Sequence, residues 1–238
     1  MTHGPGAGPS QEALDAFGAS DAGVAFLRQV FAWMFLGLGI TTAIAVYFAS
    51  STNITDYFND NPVVYFILIG AQLAAVFGLA FGINKLNGTV AAIVFCLYAA
   101  LTGATFAILL EIYTTGSVVG AFAGACGVFG GMAIVGYTTK KDLSKLGPIL
   151  FGALIGLIVA SIVYVFVGGG VFNLILGWAG VIIFAGLTAY DMQKLKNMGA
   201  MHLGDEDAVQ KFAIFGALQL YLDFINIFLS LLRIFGNR

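Results

Sequence analysis

The chain has 238 residues, of which 60% are hydrophobic and 9% charged, with a formal net charge of −2 and two cysteines. Ordinary soluble domains are about 25% charged, so this composition excludes a soluble globular protein and points to an integral membrane protein. The weak negative charge excludes a basic nucleic-acid surface, and Cys96 and Cys126, both inside apolar stretches with no ligand spacing, exclude a disulfide framework or a zinc site.

Residues 1–25, opening "MTHGPGAGPSQEALDAFGAS", are rich in Gly, Ala and Pro and hold no Lys or Arg. They read as a disordered cytoplasmic tail, leaving residues 26–238 as one transmembrane domain. A spanning helix needs about 20 apolar residues, and seven windows satisfy this, at 27–49, 62–83, 90–110, 117–137, 148–167, 171–193 and 211–235. The first exceeds a signal h-region and lacks a basic flank, so it reads as a retained helix. The expected fold class is therefore all-α integral membrane, with seven helices.

Glycines recur four apart at Gly78/Gly82, Gly116/Gly120/Gly124 and Gly152/Gly156. Small residues at this spacing let helices approach closely in lipid, so these positions are expected to be helix–helix contacts. The run at 168–170 lacks the Lys-Ser/Thr and strand context of a phosphate loop.

Eight basic residues, Arg28, Lys85, Lys140, Lys141, Lys145, Lys194, Lys196 and Lys211, fall at one side of the alternating windows, and the loops after windows 1, 3 and 5 hold none. The positive-inside rule then places the amino terminus in the cytoplasm. Arg233 and Arg238 would emerge on the far side if the last window crosses completely. The unbroken pattern from Phe212 to Phe235 favours that crossing over a re-entrant segment, whose backbone would have to be enclosed by protein.

Nine of the twelve acids fall in the tail or loops, and Glu111 reads as a solvated end residue of the third window. Asp191 in "FAGLTAYDMQKLK" and Asp223 in "LQLYLDFINIFLSLLRIFG" lie deeper. A central Asp costs about 3 kcal/mol on insertion scales, and each Leu, Ile, Phe or Val returns about 0.3–0.6. The last window, rich in those four residue types, tolerates Asp223, yet an intramembrane acid is by default a functional-site hypothesis.

Helical phase extends that hypothesis. At about 100° per residue, Gln219, Asp223, Asn226, Ser230 and Arg233 fall within an arc of about 80°. Such a stripe on an apolar helix must face protein or water. Arg233 is about 15 Å along the axis from Asp223 and cannot neutralise it directly. Counting residues from the loop between windows 6 and 7 leaves Asp191 nearer the loop than Asp223, so spacing alone does not join them. If they meet, two carboxylates in a low-dielectric site do not easily both ionise and would share a proton. Ionised, they would offer oxygen ligands to a hard cation, although calcium normally takes about six to eight oxygens. Such a site would be weak and proton-competed.

The segments "LQLYLDFINIFLSLLRIFG", "AYDMQKLK", "GYTTKKDLSKLG" and "FLRQVFAWMFLGLGIT" resemble the transmembrane Bax inhibitor motif family, particularly its bacterial branch. The resemblance covers the chain after the tail. It implies seven helices with helix 7 central and six wrapped around it, and a pH-sensitive calcium leak gated by an aspartate pair that maps onto Asp191 and Asp223. It also implies pathway or latch groups in helix 2, where this chain has the uncharged Gln72, with Lys85 only approximately at the basic position. Gln219, Asn226, Ser230 and Arg233 are the expected supporting groups. The implied ligands are calcium ions and protons in a bacterial inner membrane, with membrane-protein partners unassigned and no other cofactor.

No enzyme is expected. Intramembrane aspartyl proteases pair a YD with a GxGD, which is absent here, and no PAL tripeptide follows. Every Lys lies at a helix end or loop, which excludes a buried retinal Schiff base. Neither His3 nor His202 falls in a window, which removes serine–histidine chemistry. The alternative to a calcium leak is a non-conducting regulator acting through protein partners.

Overall fold

A computed structural model describes residues 16, 20–51, 60–61, 63–201 and 205–237. It contains seven long helices: α1 Asp21–Ala49, α2 Val63–Gly82, α3 Gly88–Ile112, α4 Thr115–Thr138, α5 Leu146–Val167, α6 Gly170–Met201 and α7 Glu206–Phe235. All seven contain a stretch long and apolar enough to cross a membrane, and no strand occurs among the described residues.

Local capping chemistry sets several starts. Ser20 accepts from the Gly23 amide at 3.1 Å, and Asp21 complements the positive helix end. α1 therefore begins inside the stretch assigned to the tail, because a side-chain cap can nucleate a helix before the apolar run starts. Most of that tail lies outside the described residues. Asn87 caps α3 and Asp205 caps α7 in the same way, by accepting from Val90 and Ala208. Gly168 and Gly169 adopt φ of 68° and 101°, which only glycine takes up easily, and so join α5 to α6 with almost no linker.

α7 is one unbroken 30-residue helix, about 45 Å long at 1.5 Å per residue. The re-entrant alternative is thereby removed. α7 packs against α1, α3, α4 and α6, whereas α2 rests chiefly on α3 and α5 chiefly on α6. Four helices are thus in close contact with α7, while α2 and α5 meet it across the cavity that residues of all three line. Burial follows this order: in its most apolar 18-residue window α7 is 67% buried and α5 is 0% buried. Outward-facing side chains such as Phe66, Phe81 and Phe166 are large and apolar, on a scale that only lipid or a partner can cover.

Of the four-spaced glycines, Gly124 alone makes the close interhelical contact expected of them, against Leu231 of α7. A Cβ on Gly78, Gly116, Gly120, Gly152 or Gly156 would meet nothing within 4 Å, and one on Gly82 would make ordinary contact with Leu86 just beyond its own helix. Periodicity identifies a face but not its neighbour, and the positions with nothing near them lie on outward faces. Close approach falls mostly to other positions, most clearly Gly136 of α4, where a Cβ would strike the Ala189 backbone of α6.

The two ends of the bundle are tied differently. At one, Asp207 accepts from the Gly88 amide at 2.9 Å, while Gln193 of α6 accepts from the Leu143 amide at 2.8 Å and donates to the Lys141 carbonyl at 2.9 Å. Lys196 joins them by donating to the Tyr137 carbonyl at 2.9 Å. In the same α4–α5 loop the Ser144 hydroxyl and amide hold the exposed Asp142 carboxyl below its ordinary range. These contacts gather the loops that carry Lys85, Lys140, Lys141 and Lys145. At the other end the Thr114 amide donates to Asn237 and the Asn237 amide to Ser117, joining the α3–α4 turn to the end of α7.

Candidate functional site

α6 and α7 are antiparallel, and five facing pairs fix their register: Gly177 with Ile234, Gly180 with Ser230, Thr188 with Asp223, Asp191 with Gln219 and Leu195 with Gly216. Glycine at 177, 180 and 216 lets the two helices close up. A Cβ on Gly180 would strike the Ser230 hydroxyl, and one on Gly216 the Leu195 side chain.

This register puts the two acids on successive rungs, each opposite a neutral polar residue. Asp191 Oδ1 accepts from Gln219 Nε2 at 3.4 Å, long against the usual 2.9–3.0 Å of about optimal N–H···O geometry. Asp223 sits against Thr188, whose hydroxyl also donates to the Phe184 carbonyl at 2.8 Å. A hydroxyl has one hydrogen to give. Asp223 Oδ2 and Gln219 Oε1 are both buried with no hydrogen-bond partner.

Asp191 and Asp223 are 7% and 4% exposed, and Asp191 is close enough for its charge to act on Asp223. Four residues separate Gln219 from Asp223, about 6 Å of axial rise. The vertical gap that residue counting leaves between the acids is thereby reduced to one turn, because α6 continues to Met201 and the link to α7 is short.

Both acids open into a cavity of about 1090 Å³. Gln219, Asp223, Asn226, Ser230 and Arg233 all line it, so the stripe derived from helical phase is one continuous polar floor. Lys194 lies at one end, over the Phe215 ring at 5.9 Å, and Arg233 at the other. Apolar residues of α2 and α5 form the walls.

The remaining sequence-derived residues divide. Gln72 lines the cavity, but its amide nitrogen is engaged with the Leu101 carbonyl at 3.2 Å and Thr105 at 3.4 Å. Asn226 donates to its own helix at Leu222, 2.8 Å away. Lys85 is exposed in the turn after α2 and takes no part in the cavity lining. Glu111 is exposed one residue from the end of α3.

Sequence reasoning missed Thr188 and Tyr221. Thr188, one turn before Asp191, is fully buried opposite Asp223, and its only signal was a hydroxyl in phase with the acid. Tyr221 is fully buried between Phe95 and Tyr98, and its hydroxyl shares a 2.6 Å hydrogen bond with Thr41. It keys α7 to α1 and α3 from the side opposite the cavity.

Among the described residues no group of three His, Cys, Asp or Glu could hold a metal ion. Two carboxylates assisted by Gln219 and Asn226 fall short of a dedicated calcium cage.

A family model described as inhibitor of apoptosis-promoting Bax1 matches residues 24–238, which take in both acids and all seven membrane-type helices except the first three residues of α1. The chain belongs to this Bax inhibitor family. The inner membrane protein YbhL of Escherichia coli is 45% identical over 233 residues, covering 94% of this chain and all of that protein. A protein of Deinococcus radiodurans is 42% identical over 213 residues, covering 90% of each chain, and one of Borreliella burgdorferi is 39% identical over 213 residues, covering 90% of this chain and 92% of its own. This Bax inhibitor family member is accordingly an integral membrane protein similar to bacterial inner-membrane proteins.

Proposed function

We propose that this protein is a pH-sensitive calcium leak of a bacterial inner membrane, with its amino terminus in the cytoplasm, in which Asp191 and Asp223 hold either a proton or a passing cation. The observation that carries the reading is the unpartnered buried Asp223 Oδ2 in a cavity whose polar floor runs from Gln219 to Arg233. An acceptor desolvated without a donor is costly, and a proton or a cation relieves it. Ionised, the two acids attract a divalent ion. Protonated, the same oxygens lose that ability, so protons and calcium compete.

Asp191 and Asp223 do not stand alone. Lys194 on α6, Tyr190 beside Asp191, Tyr98 on α3 and Arg233 on α7 also face the cavity, and they supply the fixed and titratable surroundings in which the pair works. Lys194 is the cation nearest to Asp191 in sequence and tempers its charge, while Arg233 guards the far end. Orientation rests on the end of the bundle that gathers Lys85, Lys140, Lys141 and Lys145.

Reconstitution into liposomes loaded with a calcium dye tests the reading. The parent is expected to pass calcium with a pH-dependent rate, and Asp191→Asn and Asp223→Asn are each expected to blunt that dependence. Folded protein with no flux above empty liposomes would favour a regulator acting through partner proteins. Cleavage of a transmembrane peptide, lost in both variants, would favour a protease.

A further inference from the structure

The cavity is open sideways. α2 leans on α3 and α5 on α6, with no extensive contact between α2 and α5, so the slot between them faces the lipid. Its walls carry Ile69 and Leu73 on α2 and Phe151, Ile158 and Ile162 on α5, all at least half exposed. Its floor carries acceptors. Asp223 Oδ2 and Gln219 Oε1 are buried without partners, and Asp191 accepts only the long bond from Gln219.

The middle of this floor, between Lys194 at one end and Arg233 at the other, holds two acids and two unpartnered acceptor oxygens in an apolar slot, a combination that suits a donor headgroup on an apolar chain. Carboxylates accept and cannot donate when ionised, while an ammonium donates three hydrogens and accepts none. Charge-assisted pairs of this sort are about twice as strong as neutral ones. Asp191 lies five residues, about 8 Å, inside the end of the apolar span at Lys196, and Asp223 about one turn deeper, so a headgroup reaches the pair by descending between two and three helical turns along the slot. The cavity volume, about 1090 Å³, far exceeds the roughly 30 Å³ share of a single water.

We propose that the α2–α5 slot is a binding site for a membrane amphiphile with a primary ammonium headgroup. The ammonium sits among Asp191, Gln219 and Asp223, whose two buried unpartnered oxygens turn toward it, and the hydrocarbon chain lies along Leu73 and Ile158 toward the bilayer. The proposal uses the same carboxylates as the calcium reading but does not depend on conduction.

Binding is read by fluorescence quenching in detergent micelles. Ile158→Trp, placed in a Trp33→Phe, Trp178→Phe background, reports the slot, and the probes are dibromostearylamine and the uncharged dibromostearyl alcohol. The amine is expected to bind at least about tenfold more tightly than the alcohol, the scale of a hydrogen bond to a charged group. Asp191→Asn with Asp223→Asn is expected to abolish that preference while leaving quenching by the alcohol intact, which shows that the slot is folded. Ser161→Phe, which obstructs the slot from α5 with both acids in place, is expected to reduce amine quenching to the micelle background.

Equal affinity for amine and alcohol would overturn the proposal, as would an amine preference that survives in the double variant or in Ser161→Phe. Displacement of the amine by soluble ethylammonium as effectively as by stearylammonium would also overturn it, by showing a site for free cations. Calcium flux is not read. A leak without an amine preference therefore defeats only this proposal, and an amine preference without a leak defeats only the calcium reading.

Discussion

At the scale of single residues, Tyr221 and Asp223 show how two neighbours on α7 serve opposite purposes. Tyr221 faces α1 and α3 with its hydroxyl satisfied by Thr41, while Asp223, two residues on, faces the cavity with an oxygen left unsatisfied. Removing the tyrosine hydroxyl leaves Thr41 still bonded to the Ala99 carbonyl at 2.9 Å, so no new orphan is created. Tyr221→Phe is expected to cost about 0.6 kcal/mol, the usual size of an interhelical hydrogen bond in membranes, measured from unfolding midpoints in mixed micelles. A cost several times larger would mean that the hydroxyl supports more than this one contact. Asp223 was legible in the sequence because a carboxylate in an apolar helix stands out. Tyr221 was not, since an aromatic at that spacing looks like any other core side chain.

At the scale of helices, backbone proximity decides what sequence periodicity cannot. Gly136→Ala sets a methyl against the Ala189 backbone, which cannot rotate away, and the expected cost is about 1–3 kcal/mol for overpacking. Gly120→Ala meets nothing within 4 Å and is expected to be neutral, or stabilising by up to about 1 kcal/mol through helix propensity. The two substitutions look alike in the sequence, and unfolding midpoints separate them. Gln193→Ala removes both bonds that hold the α4–α5 loop to α6, and amide exchange at Leu143 is expected to speed up while exchange in the middle of α6 stays unchanged. The polar stripe of α7 could be read in advance because phase within one helix needs no neighbour. The α6–α7 register could not, because it depends on where α6 ends and on glycines at 177, 180 and 216 whose role appears only when the two helices meet.

At the scale of the molecule, α7 has one apolar, closely packed side and one polar side that faces the cavity. The seven helices and their apolar spans followed from composition and window length. The outer position of α2 and α5 did not, because hydropathy does not distinguish a helix that touches the centre from one that touches only its neighbour. In the proposed function, protons and calcium compete for the oxygens of Asp191 and Asp223. Protonation removes the charge that binds calcium, so the half-saturating calcium concentration for flux must rise on acidification, by up to about tenfold per pH unit where one proton is displaced. The most direct measurement is that half-saturating concentration in proteoliposomes, taken across a pH series for the parent, Asp191→Asn and Asp223→Asn. A rise on acidification in the parent that is lost in both variants is the predicted result. A half-saturating concentration that does not change with pH, or one that changes equally in all three proteins, would contradict it.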